Sequence, residues 1–130
     1  MVNKLAIETN HFKAVAPIVS QLIESLPMLE STNPVSIFQV NGAADTTIPI
    51  EGGAQLGHVF LDAYESAELW AAQFNCLENP TITMLGQDTL YVFESCDDEK
   101  EVRYLRIENG GHNLPLHILF PDIWEFFQRF

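Results

Sequence analysis

Asp45 stands on a turn just past the apolar run Val35–Val40, and His112 follows Gly110-Gly111 just past a second run carrying Val102, Tyr104, Leu105 and Ile107. An acid and later a histidine, each at the end of a predicted strand, is the order in which some serine hydrolases supply two members of a triad. The carboxylate would accept a hydrogen bond from one ring nitrogen, fix the tautomer, and stabilise the cation formed when the other nitrogen takes a proton. Gly42 is expected to let the backbone turn sharply before Asp45, and Gly110 and Gly111 to allow conformations closed to other residues before His112. A plainer reading makes Asp45 a turn cap and His112 a loop histidine.

The nucleophile is the missing part. Ser20, Ser25, Ser31, Ser36, Ser66 and Ser95 all lack the Gly-x-Ser-x-Gly turn that exposes a hydroxyl between backbone donors, so capping, turn or solvated roles are expected of them. Cys76 and Cys96 could act as thiolates with His112, but neither lies in a basic stretch that would favour the anion. They also fit neither a zinc site nor a Cys-x-x-Cys pair, leaving a disulfide or two inert thiols. His58 and Asp62 would share a helix face if that stretch is helical, yet two ligands make no metal site. His11 and His117 read as surface residues, and no cofactor is expected.

The elements that must position Asp45 and His112 follow from local pattern. Met1 to about Glu8 has helical spacing, with Leu5 and also Val2 and Ile7 facing inward. Phe12 to Val19 is a short, nearly continuous apolar run, as in a strand covered on both faces of a parallel sheet. Val35 to Val40 predicts a second strand, and Asn41 to Asp45 the turn out of it. Asp62 followed by Glu65 has capping-box spacing and predicts a helix to about Asn75. Asp88–Glu94 and Glu101–Glu108 are β-rich runs, and the acidic group Asp97 to Glu101 between or beside them reads as a solvated turn. Pro121 in a first turn, followed by Ile123, Trp124, Phe126, Phe127 and Phe130, predicts a closing amphipathic helix whose aromatic side chains, like Trp70, pack into the core. The order, roughly α-β-α-β-α-β-β-α, predicts an α/β fold over residues 1–130 as a single domain.

Composition narrows the partners. With 130 residues and 47% hydrophobic content the chain can build one core. A net charge of −12, from 18 acidic and 6 basic residues, repels nucleic acid and anionic membranes. No apolar run approaches the roughly 20 residues that span a bilayer, and the start of the chain has no apolar signal core.

The segments VSIFQVNGAADTTIPIEGG (Val35–Gly53), LWAAQFNC (Leu69–Cys76), VRYLRIENGGHNLP (Val102–Pro115) and IWEFF (Ile123–Phe127) resemble, in this order, secreted α/β-hydrolase esterases of the polyhydroxybutyrate depolymerase, feruloyl esterase and acetylxylan esterase group. The resemblance implies that Asp45 is the triad acid and His112 the triad base. It also implies a mostly parallel sheet with flanking helices, of which this chain is the carboxyl-terminal part. The amino-terminal strands, the nucleophile turn and an oxyanion-hole loop would lie upstream, since Met1–Ser20 resembles the stretch just after that turn. Departures fall at Asn41, where the family has histidine, and at Asn113 and Leu114, where it has Thr and Trp.

From the same resemblance, Cys76 and Cys96 are expected to form a structural disulfide, worth roughly 3 kcal/mol for a loop of this length, and the protein to be secreted or periplasmic. The expected function is carboxylic-ester hydrolysis, with the chain inactive alone because it lacks the nucleophile. The competing expectation is a noncatalytic oligomeric module descended from a hydrolase. A truncated sheet would expose the strand near Ala14 to Val19, so a homo-oligomer covering that strand is expected.

Overall fold

Seven consecutive buried residues, Ser36–Gly42, form the strand on which the rest is hung. Apolar and β-branched residues on both faces suit a strand covered front and back. A computed structural model describes residues 1–130 and gives, in chain order, α1 (Val2–Glu8), β1 (Ala14–Val15), β2 (Ser36–Gly42), β3 (Gly53–Gln55), β4 (His58–Phe60), α2 (Ala63–Gln73), β5 (Thr81–Leu85), β6 (Asp88–Phe93), β7 (Val102–Ile107) and α3 (Leu116–Gln128). The main sheet has the order β1-β2-β7-β6-β5, and β3 and β4 make a separate two-stranded ribbon.

The sheet is mixed, which corrects the expectation of a mostly parallel α/β-hydrolase sheet. Only β1–β2 and β2–β7 run parallel, whereas β7–β6, β6–β5 and the β3–β4 ribbon are antiparallel. Connector length is the reason. Parallel neighbours need a crossover of a dozen or more residues, but β5 and β6 are joined by Gly86-Gln87 alone, with Gly86 at φ +68°, and β6 reaches β7 through a short loop with one 3₁₀ turn at Asp97–Glu99. Two-residue hairpins of this kind favour a glycine at positive φ.

β2 divides the core by the period-2 alternation of a strand. Ile37 packs with Trp70, Phe74, Phe93 and Tyr104 beneath α1 and α2. Phe38 and Val40 face the other way, against Leu105, Leu119, Ile123 and Phe126 under α3. Half of the predicted capping box forms: Asp62 Oδ1 accepts the Tyr64 N–H at 2.8 Å and the Glu65 N–H at 3.1 Å, but the Glu65 side chain makes no return bond to the Asp62 N–H. The helix ends at Gln73, two residues short of the predicted end.

Other elements depart from expectation. The predicted Phe12–Val19 strand shrinks to Ala14–Val15 because Pro17 cannot continue the ladder as a donor. The chain nevertheless stays beside β2, since the Pro17 carbonyl accepts the Val40 N–H at 3.0 Å and the Val19 N–H donates to Val40 at 2.8 Å. No helix separates β1 from β2. Leu5 is partly exposed while Asn3 on the same helix is buried. α3 begins at Leu116, so Pro121 lies inside it rather than in its first turn. The carbonyl that Pro121 leaves unbonded is that of His117, an exposed residue that water can reach. Trp124 is 63% exposed, against the core position predicted for it, whereas Trp70 and Phe126 are fully buried.

Glu101 is not part of a solvated turn. It is buried between Arg103 and Arg129, with Arg129 Nη2 at 2.7 Å from Oε2. Burial pushes its carboxyl up, but the two guanidinium groups outweigh that and hold it below the usual range. Cys76 and Cys96 are joined in a disulfide that ties the end of α2 to the β6–β7 connection. No helix is long and apolar enough to cross a membrane.

Candidate active site

β2 and β7 run side by side in parallel register, Asn41 opposite Arg106 and Gly42 opposite Ile107, so both strands end at one level. Their outgoing chains then stay laced together. The Ala43 N–H donates to the Ile107 carbonyl and the Ala44 N–H to the Gly110 carbonyl, each at 2.9 Å. Gly42 permits this approach, because a Cβ there would strike the Gly110 carbonyl. Neither Gly110 nor Gly111 has a positive φ, which corrects the role expected of them. Gly110 is small for packing, since a Cβ would lie 2.7 Å from Leu114 Cδ2 and 2.9 Å from Ile107 Cγ2, whereas Gly111 faces open space.

This lacing brings together two residues 67 apart in the chain, and His112 Nδ1 lies 2.9 Å from Asp45 Oδ2. The Asp45 side chain is 1% exposed and the His112 ring 36%. The second carboxylate oxygen, Oδ1, accepts the Thr47 N–H at 2.8 Å and the Ile48 N–H at 3.0 Å, an Asx-type turn. Burial alone would raise the Asp45 carboxyl, but the hydrogen bonds from Ile48, His112 and Thr47 together hold it below the ordinary aspartate value. A carboxylate acceptor requires the proton on Nδ1, which leaves the Nε2 lone pair turned away from Asp45. The pair is therefore arranged to accept a proton at Nε2 and to stabilise the resulting imidazolium.

No nucleophile completes it. Ser36 Oγ accepts the Glu101 N–H at 3.3 Å, and Ser66 Oγ accepts the Leu22 N–H at 3.0 Å while donating to the Asp62 carbonyl at 2.9 Å, so both are structural. The cysteines are consumed by their disulfide, which removes the thiolate reading. His58 lies on β4 and Asp62 caps α2, so they share no helix face, and no cluster of three or more metal-ligating side chains forms. Three cavities lie away from the pair, among them one of about 470 Å³ between Glu94, Lys100 and Arg129. A polar one of about 350 Å³ is lined by Glu8, Asn10 and His11, and a wholly apolar groove of about 410 Å³ runs past Val2, Leu5, Phe12, Ala14, Ile18 and Phe127.

Sequence reasoning missed the polar interior beside the site. Gln21, Gln39 and Asn41 are buried, and Gln39 and Asn41 lie two apart on the α2 face of β2. Amides alternating with Phe38 and Val40 in an otherwise apolar strand were the available signal. No protein-family model, curated protein or solved structure matches the chain. The class that the geometry defines is thus a buried acid paired with a half-exposed histidine.

Proposed function

We propose that Asp45 and His112 are the acid and base of a carboxylic-ester hydrolase whose nucleophile comes from outside these 130 residues. The observation that carries this reading is the 2.9 Å Nδ1–Oδ2 hydrogen bond onto a carboxylate fixed by two backbone N–H groups. An orienting carboxylate, a single defined tautomer and an Nε2 without a hydrogen-bond partner on a partly exposed ring suit a general base that activates a hydroxyl. The order of the esterase-like segments supports the same reading and suggests polyhydroxyalkanoate, feruloyl or acetyl esters as substrates. It does so without the sheet that the resemblance implied. The disulfide accords with a secreted or periplasmic protein, since such bonds persist in oxidising compartments.

The isolated chain is expected to hydrolyse a nitrophenyl butyrate no faster than buffer, because nucleophile and oxyanion donors are both outside it. A longer polypeptide read from in-frame upstream codons with a Gly-x-Ser-x-Gly turn is expected to hydrolyse it. In that polypeptide His112→Ala should lower kcat by about 10⁴-fold or more. Hydrolysis by the isolated chain that disappears in His112→Ala would refute the outside nucleophile. A longer polypeptide whose serine neither turns over ester nor takes a fluorophosphonate label would refute the hydrolase reading.

The apolar groove favours a second reading, a noncatalytic module that associates with copies of itself through the free edge of β1.

A further inference from the structure

Three amides form an unbroken hydrogen-bonded chain from the middle of the fold to the acid's own loop. Gln39 Nε2 donates to the Ala63 carbonyl at 2.7 Å and to Asn41 Oδ1 at 2.9 Å, Asn41 Nδ2 donates to Gln21 Oε1 at 2.9 Å, and Gln21 Nε2 donates to the Pro49 carbonyl at 2.8 Å. All three side chains are at most 2% exposed. Asn3 Nδ2 fastens the other side of the loop that bears Gln21, donating to the Ser20 carbonyl at 3.0 Å and to the Gln21 carbonyl at 3.2 Å.

Burying three amides gives little net stability over an apolar interior of the same shape, because each bond only replaces one made to water. What the chain does supply is direction. Asn41 and Gln21 each accept on one side and donate on the other, while Gln39 donates in both of its bonds, so the run points one way, from Gln39 to the Pro49 carbonyl. That end is Pro49, one residue past Ile48, and Ile48 and Thr47 are the two residues whose N–H groups hold Asp45 Oδ1. The start of this loop is fixed by the lacing at Gly42 and Gly110, and its end by the Gly52 N–H on the Pro49 carbonyl and the Ala63 N–H on the Ile50 carbonyl, so Gln21 supplies the side-chain anchor from the interior.

We propose that Gln21 is a positioning residue for the acid–base pair: through Pro49 it sets the N–H cradle that aims the Asp45 carboxylate at His112. Asn41 and Gln39 in turn orient Gln21. The proposal rests on the acid–base reading of Asp45 and His112 and adds to it the residues that hold the acid.

The test is NMR on the folded 130-residue chain, following the Asp45 carboxyl carbon against pH and the ring N–H proton on His112 Nδ1. Gln21→Met keeps the length and removes the donor. It is expected to raise the Asp45 titration midpoint by at least about half a pH unit as the cradle loosens, and to broaden the His112 N–H signal. Asn41→Ala, which leaves the Gln21–Pro49 bond to be made without its orienting partner, should give a smaller change of the same sign. Both signals at wild-type positions in folded Gln21→Met would overturn the proposal.

If Gln21→Met does not fold, Gln21→Leu decides, since it also loses the donor to Pro49 and adds no charge near Asp45. The same two shifts are expected there, and their absence is equally fatal. Asp45→Asn separates the two levels of inference. If it leaves the His112 N–H signal unchanged, the acid–base reading itself fails, whereas a change there together with none in the Gln21 variants sinks only the positioning role.

Discussion

At the residue scale, Asp45 is a buried anion whose charge the fold stabilises through named donors. Because its folded carboxyl titrates below the ordinary value, its contribution is fully present above the unfolded aspartate range of about 3.9 and is lost as pH falls through the lowered folded value. Glu101 has the same sign, held low by Arg129 and Arg103 against its burial. Stability measured by urea unfolding should therefore fall steeply below about pH 4. Asp45→Asn should flatten part of that fall while lowering stability at neutral pH, and an unchanged acid limb would show that the carboxylate is not held as described. The placement of Asp45 and His112 just past two strand ends was legible in the sequence because strand ends followed by Gly, Asn and Asp are local signals. Glu101 was only half legible: Arg103 two residues on is a local partner, but Arg129, which completes its burial, is 28 residues away.

At the element scale, the site exists because two parallel strands end together and their outgoing chains touch. Gly42 is the contact point. Gly42→Ala should cost about 1–3 kcal/mol by overpacking, and with it weaken the Asp45–His112 hydrogen bond, since the Gly110 carbonyl must retreat. Gly111→Ala should change stability by less than about 0.5 kcal/mol because its Cβ meets nothing. Equal effects in thermal unfolding would rule out close approach as the reason for glycine at 42. The central strands β2 and β7 and the capped helix α2 could be read from pattern, as they are long enough to show it. β3 and β4 have three residues each, and β5 is exposed along its whole length, so no burial alternation marked any of them. Strand direction was in principle readable from Gly86-Gln87, a connector too short for a parallel crossover, but the esterase resemblance pointed the other way.

At the scale of the molecule, four of the six lysines and arginines are committed to ion pairs. Lys4 pairs with Glu8, Arg103 and Arg129 with Glu101, and Arg106 with Glu108, leaving Lys13 and Lys100 outside any ion pair. Such a surface offers little to an anionic ligand, which accords with a neutral ester as substrate. One uncharged part of the surface is the groove beside β1, where Leu5 and Phe12 lie partly exposed among apolar neighbours. Self-association through this face should give a mass by light scattering that rises with concentration and falls in Phe12→Lys. A concentration-independent monomer would exclude it.

The disulfide has a consequence for the integrity of the site. Asp45 and Cys76 lie on one side of the exposed Gly86-Gln87 hairpin, and Cys96 and His112 on the other. A protease that nicks this tip therefore severs the acid's half of the polypeptide from the base's half without releasing either. The cut product keeps the intact mass plus one water until a reductant is added, and only then can Asp45 and His112 drift apart.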